Sequence, residues 1–534
     1  MTVAFKLTYS TMFNPPPELH TQFEAAMARV RGGLGTTYHL HVDGKDRPAG
    51  KTTQKRSSAG RTTPKHNPAD DRVLLGEFAA ATAADAGEAI QAAQRAFQEW
   101  KQLAIHERVR LLRRVGQLIE ERVYDIAAAL TLEVGKNRME ALGEAQETAD
   151  FFYSYCDDFE RNEGFSRPLP NDPLTSHVSH NRSILKPYGA WVVITPFNFP
   201  LALAGGPVAA ALVTGNTVVL KGATVTPWAG RLLADCIRDA GLPPGVFNYL
   251  SGSSREVGDA LVNHPQTAGI TFTGSHDVGM RIARTLQGGR YPRPCIAEMG
   301  GKNACIVTAA ADLERAATGI VRSAFGMGGQ KCSALSRLYV HRDVADSLVQ
   351  KLLTQMAAVR IGDPGRRENW LGPVTTSEGY ESYARYVTQL RSQGARVLAG
   401  GKRLREGELA HGFFVQPTLA EAPTRHPLWQ HEMFVPILML FRVGSNDEAM
   451  QLANESALGL TAGFYGSAEE VGWFQEHIEA GVTYANRPQG ATTGAWPGYQ
   501  PFGGWKGSGN TGKAIASFYY LPQYLREQSQ TVVD

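Results

Sequence analysis

The sequence predicts an α/β protein with two parallel-sheet lobes. Three observations carry that reading. From Ile184 onward, short apolar runs alternate with longer helical stretches, and the loops between them are short. The alternation occurs as two series, with a break near Gly300. At 534 residues the chain is also too long for one simple core, so two or three lobes are expected. Alternating strands and helices build right-handed βαβ units, and these assemble parallel sheets. An apolar content of 43% with 20% charged residues fits an ordinary globular chain. The net charge of +3 is too small to mark a nucleic-acid binder.

Taken in order, residues 1 to 70 read as an irregular N-terminal region, with Pro15, Pro16 and Pro17 in a row. Its basic residues between Lys51 and Lys65 sit among Ser, Thr and Gly, which reads as a solvated loop. Ala86, Ile90, Ala93, Phe97 and Trp100 then fall at helical spacing, with Asp85 as the expected N-cap. "ERVRLLRRVGQLIEERVYDIAAALTLEVGK" and "GEAQETADFFYSYCDDF" continue the helical pattern. "WVVIT", "NTVVLK", "GVFNYLSG" and "GITFTGS" read as strands, separated by "LALAGGPVAAALVTG", a helix from Pro227 and a short helix. "NACIV", "RLYV", "ILMLFRV" and "TAGFYG" form the second series. Parallel sheets bind ligands beyond the carboxyl ends of their strands. "TPFNFP", "KGAT" and "FTGS" all lie there.

Three stretches carry chemistry. "FTGSHDVG" closes a strand and opens a helix, with Gly274 at a tight turn and Ser275 as a possible cap. Free amides at such a helix start suit a phosphate. The stretch lacks the G-x-G-x-x-G pattern, so no ordinary dinucleotide fingerprint is present. "CIAEMGGKNACIV" places Glu298 between a strand and a Gly-Gly turn, where it could serve as a base or simply as a surface carboxylate. "FGMGGQKCSALSR" places Cys332 among small residues that leave a ligand room to approach. The other cysteines are 156, 236, 295 and 305. They make a sparse set without zinc-finger or disulfide spacing, so no metal site and a reducing compartment are expected. The N-terminus lacks the pattern of a secretory signal and no run spans a bilayer, so a cytoplasmic location is expected.

The combination resembles the aldehyde dehydrogenase superfamily from about Tyr38 to the C-terminus. "TPFNFP", "GNTVVLK", "FTGS", "EMGGK", "GQKC", "HEMFVP" and "PFGGWKGSG" follow that family's order. Glu298 and Cys332 stand 34 residues apart, as the family's base and nucleophile do. The resemblance implies Cys332 as nucleophile, Glu298 as general base and Asn198 as oxyanion donor. It implies NAD or NADP held by Thr195, Pro196, Phe197, Lys221, Thr224, Gly274, Ser275, Glu432 and Phe434. It divides the chain into a cofactor domain (71–168 and 187–300), a catalytic domain (301–489), and a flap with a substrate anchor loop (169–186 and 490–534). The flap implies a homodimer or a higher homo-oligomer. Two positions depart from the family: Val435 replaces a usual Gly and Met299 a usual Leu.

The nearest likeness is to the branch that oxidises glutamate semialdehyde, formed from pyrroline-5-carboxylate. It implies Ser333, Gly494 and Ala495 on the substrate carboxylate, Glu147 near its ammonium, and Phe199 and Phe502 along its stem. The loop "RPQGATTGAWPG" is about three residues longer than the family's and adds Trp496. An aldehyde dehydrogenase for another small aldehyde therefore stays open, as does a non-catalytic family member. In "KGAT", Thr224 stands where the family often has Glu. That removes a carboxylate that would repel a 2′-phosphate and offers a hydroxyl donor, while Lys221 supplies a positive charge, so NADP use is expected.

Overall fold

The computed structural model describes residues 5–50 and 61–534. Its first sheet has seven strands in the spatial order Cys295–Glu298, Gly269–Thr273, Ala190–Ile194, Thr217–Lys221, Phe247–Leu250, Leu40–Val42 and Lys45–Arg47. The first five are parallel, and the last two add antiparallel. Both faces are covered, which explains the continuous apolar runs. Trp191 and Val193 enter the core on one face, and Ala190 and Val192 the core on the other. From Ala190–Ile194 the chain steps outward on one side, then returns to lay Gly269–Thr273 on the other. Such a reversal opens a crevice at the carboxyl ends of the two strands.

The second sheet also has seven strands, in the order Arg396–Ala399, Thr418–Glu421, Ile437–Val443, Leu335–His341, Asn303–Val307, Thr461–Tyr465 and Val482–Ala485. Only Arg396–Ala399 runs antiparallel. A separate antiparallel sheet joins Leu525–Val533, Ser179–Pro187 and Ser166–Leu169. No helix among the described residues is long and apolar enough to cross a membrane.

The structure corrects the reading of the N-terminal region. Residues Pro17–Gly32 form a helix, so the region is not irregular. Pro17 stands at its first turn, where proline's missing N–H costs nothing, and Leu19, Phe23, Ala26 and Met27 bury one stripe. Thr62–Asn67 pairs antiparallel with Asp70–Ala79, so Lys65 lies in a strand. The rest of the basic cluster, residues 51–60, lies outside the described residues. The N-cap of Ala83–Trp100 is Thr82, not Asp85. Asp85 sits at the third helical position and reciprocates, accepting from the Thr82 backbone N–H at 2.8 Å. Of residues 490–534, only Leu525–Val533 joins the flap sheet; Trp505–Lys506 pairs with Leu458–Gly459.

Candidate active site

Two cavities meet at Cys332. One is an open cleft of ≈ 880 Å³ between the lobes, and the other a narrow chamber of ≈ 100 Å³. Cys332 and Leu203 line both. On the cleft's first side stand the carboxyl ends of Ala190–Ile194 and Gly269–Thr273, which present Thr195 to Asn198 and Gly274 with Ser275. On the second side stand amino ends: Gly300 precedes Asn303–Val307, Cys332 precedes Leu335–His341, and Phe434 precedes Ile437–Val443. The carboxyl-end rule thus holds for one sheet and is inverted for the other.

Backbone geometry seats the thiol. Met327, Gly328 and Gly329 all take positive φ (53°, 63° and 66°), which coils the chain tightly ahead of Cys332. A Cβ on Gly301 would stand 2.2 Å from the Cys332 carbonyl oxygen, and one on Gly300 2.1 Å from Glu432 Oε2. At Gly301 the obstacle is backbone, so only glycine allows the approach; at Gly300 a side chain would displace the Glu432 carboxyl. Asn303 then fixes the loop, donating from Nδ2 to the carbonyls of Cys332 (2.7 Å) and Ala334 (2.8 Å). Sequence reasoning missed this residue; its position directly after the Gly-Gly-Lys turn was the available signal.

Burial, then the carboxyls of Glu432 and Glu298, push the Cys332 thiol up to about 12, against the opposing pull of the backbone N–H groups of Ser333 and Cys332. The other four cysteines are fully buried, whereas Cys332 is only partly so. Burial also pushes the Glu298 carboxyl well above its ordinary range, although Gly504 N–H donates to Oε2 at 3.1 Å. Asn198 is buried and donates one amide proton to the Gln330 carbonyl at 3.0 Å, which fixes the side chain at the cleft wall.

The groups expected to hold a cofactor gather along the cleft. Thr195, Pro196, Phe197, Thr224, Gly274, Ser275, Glu432 and Phe434 all line it. Ser275 lines the cleft just before the helix His276–Gln287 but makes no side-chain cap, contrary to expectation, which leaves its hydroxyl and the helix's first amides uncommitted among the described residues. Glu432 Oε1 accepts from Gly301 N–H at 2.8 Å, and burial pushes its carboxyl up to about 7. Phe434 meets Phe197 edge to face at 5.6 Å. Phe434, next to Val435, takes φ 56°, a costly conformation for a non-glycine residue.

Lys221 is buried behind the cleft and donates to Thr224 Oγ1 (3.2 Å) and Ser254 Oγ (3.1 Å). Burial lowers its pKa to about 8. The Thr224 hydroxyl donates its own proton to the Gly252 carbonyl at 3.0 Å, so Thr224 offers no free donor, contrary to expectation. Arg255 and Arg281 also line the cleft, and sequence reasoning overlooked both.

All six residues expected around the substrate line the chamber: Glu147, Phe199, Ser333, Gly494, Ala495 and Phe502. Lys331 turns from the thiol toward Glu140, with Nζ 3.0 Å from Oε1. Lys136 is buried in an ion pair with Glu144 and holds its Nζ 3.5 Å from the Phe199 ring centre. The chamber also contains Tyr9, from the region whose role the sequence left blank.

The raised thiol pKa has a measurable consequence. The thiolate fraction of a group held near 12 rises about tenfold per pH unit throughout the range below. Alkylation of the ligand-free protein by iodoacetamide, mapped by mass spectrometry, is expected at Cys332 first and to accelerate steadily from pH 7 to 9. A rate that levels off below pH 8 would contradict the assigned electrostatics.

Comparison with known proteins gives the geometry its context. The sequence profile of the Aldehyde dehydrogenase family matches residues 55–529. The 1-pyrroline-5-carboxylate dehydrogenase 1 of Halalkalibacterium halodurans is 37% identical over 517 residues, covering 96% of this chain and 95% of that one. A crystal structure of 1-pyrroline-5-carboxylate dehydrogenase from Thermus with bound NAD superposes with a TM-score of 0.90 at 33% identity, covering 100% of both chains. An NADP-dependent enzyme from E. coli superposes with a TM-score of 0.85 at 30% identity, covering 95% of this chain and 99% of that one. With a profile match over most of its length and full-length likeness to these enzymes, the chain belongs to the aldehyde dehydrogenase family.

Proposed function

We propose that this protein oxidises L-glutamate γ-semialdehyde, the open form of 1-pyrroline-5-carboxylate, to glutamate, with NAD or NADP as acceptor. The observation that carries the reading is the position of Cys332, which lines both the cofactor-sized cleft and the small chamber. The names of the relatives support the substrate.

In this reading Glu298 takes the Cys332 proton, directly or through water, and passes it to solvent, while the sulfur adds to the aldehyde carbon, forming a thiohemiacetal. Asn198 Nδ2 and the Cys332 amide stabilise the developing oxyanion; losing one such donor costs about a hundredfold or more in rate. A bound nicotinamide supplies the hydride acceptor that leaves a thioester on Cys332. The cleft fits such a group: Glu432 stands ready for a ribose, and the uncapped helix start at Ser275 for a phosphate. Glu298 then takes a proton from water, which hydrolyses the thioester and frees the thiol. Its raised pKa makes the carboxylate a stronger base. Its presence also argues against release of the acyl group to CoA.

Ser333 and the amides of Gly494 and Ala495 would hold the substrate carboxylate, with Glu147 near the ammonium. The predominantly aromatic and apolar walls favour a second reading, oxidation of another small aldehyde. The antiparallel sheet exposes Val532 and Val533 on its edge strand, which supports a homo-oligomer built by pairing a second copy. Five free cysteines support a reducing, cytoplasmic compartment.

Three measurements test the reading. Cys332→Ala should abolish aldehyde oxidation and any ester cleavage, while Glu298→Gln should give a burst of reduced cofactor followed by slow turnover. Normal steady turnover in either variant would sink the mechanism. Glutamate semialdehyde should exceed hexanal in kcat/KM by orders of magnitude, because a site built for a charged group rejects analogues that leave its polar groups unpaired. Ser333→Ala should raise KM for the semialdehyde and spare hexanal; equal efficiency on both aldehydes would favour the second reading. Thr224→Glu should depress NADP use far more than NAD use, because its carboxylate would repel the 2′-phosphate. An unchanged ratio would show that this position does not read the 2′ group.

A further inference from the structure

Residues 5 to 14 precede the first helix and run across the open end of the chamber, where Tyr9, Met12 and Phe13 join its lining. A local turn presents Tyr9. Thr8 N–H donates to Thr11 Oγ1 at 2.8 Å, and Met12 N–H to the Thr8 carbonyl at 3.0 Å, with Thr8 and Met12 buried beneath. The Tyr9 hydroxyl donates to Glu147 Oε2 at 2.6 Å. Its ring meets Trp496 edge-on at 5.0 Å and Phe199 at 6.4 Å.

The segment is tied to three separate elements. Lys6 Nζ pairs with Asp150 Oδ2 at 2.8 Å, on the same helix as Glu147. Arg322, from the helix Leu313–Phe325, stacks 3.6 Å from the Phe13 ring centre. Arg487, at the start of the loop that contains Trp496, donates to Ser10 Oγ at 2.7 Å. Trp496 Nε1 donates to Asp150 Oδ2 at 2.7 Å, the oxygen that Lys6 also holds. The lengthened loop and the N-terminal segment therefore share one carboxylate and one aromatic contact. Trp496 is 3% exposed, so the added residue is wholly engaged in this closure.

We propose that Tyr9 and Trp496 together form the closing wall of the substrate chamber and set the length of aldehyde it accepts. Cys332 lines this chamber as well as the cleft, so the two rings bound the room left for the chain behind the aldehyde carbon. A small, straight aldehyde fits the ≈ 100 Å³ space; a longer one meets two rings braced by hydrogen bonds and cannot displace them cheaply. The inference rests on placing the aldehyde in this chamber, but not on its being glutamate semialdehyde.

The test is a series of unbranched aldehydes from propanal to decanal, with kcat/KM read from cofactor reduction in the full-length enzyme. In the wild type, efficiency should fall steeply beyond the length that fits, by about tenfold or more per misfitting methylene. Tyr9→Ala should move that fall to longer chains and raise the octanal-to-propanal ratio by about tenfold or more. Tyr9→Leu and Trp496→Phe shorten the wall more gently, keep apolar cover if the alanine variant does not fold, and should move the fall the same way. An octanal-to-propanal ratio that stays at the wild-type value in the folded variants overturns the proposal, even if overall activity drops, because that is what a merely structural role would give. Glutamate semialdehyde is assayed alongside. A wild-type enzyme that oxidises short aldehydes but ignores the semialdehyde overturns the substrate reading alone; an unchanged ratio overturns the wall alone.

Discussion

The arrangement depends on one constraint: the loops at the amino ends of the second sheet must pack bare backbone against one another. At the joint, Gly301 brings its α-carbon against the Cys332 carbonyl, and Gly300 brings its own against the Glu432 carboxyl. A methyl group on Gly301 would collide with the Cys332 backbone and push the nucleophile's loop away, and one on Gly300 would displace the Glu432 side chain. In the coil ahead of Cys332, a Cβ on Gly329 would stand 2.6 Å from the Val435 carbonyl oxygen. Because side chains are absent here, the cleft and the chamber can share a residue, and a thiol can be reached from both.

Crowding backbone and carboxyls into a dry joint has an electrostatic consequence. Glu147, Glu298 and Glu432 all have their carboxyls pushed upward, chiefly by burial. Each has at most a backbone amide or a phenol as direct hydrogen-bond donor among the described residues. Lys302, close to Glu432, is itself pushed down to about 7 by burial. The site therefore holds its charges weakly in the absence of ligands. That suits chemistry in which a thiol must ionise and a carboxylate must accept a proton only when an aldehyde is present.

The N-terminal segment changes how the chamber is understood. Without residues 5 to 14, Glu147 would lack its phenol donor and Trp496 one of its ring contacts. Sequence distance hides this: Tyr9 and Glu147 are 138 positions apart, and the segment has no periodic pattern to announce where it lies. The same contacts hold the loop that contains Trp496, whose ring fills the space between that segment and Asp150.

The sequence by itself determined the two-lobed architecture, because apolar runs buried on both faces and separated by helical stretches admit few other folds. The gathering of Cys332, Asn198 and the cleft residues was legible through the ordered motifs by which the sequence resembles a known family. Only the tertiary structure decided the details that depend on partners far along the chain. Thr224 was read as a free donor, yet Gly252, from another strand's end, takes its proton. Ser275 was read as a cap, yet its side chain makes none. The Pro-rich start was read as irregular, yet a short apolar stripe finds a surface to bury against. Local sequence sets which conformations are cheap; which hydrogen bonds a hydroxyl makes, and which cavity a loose segment closes, depends on what folding brings beside it.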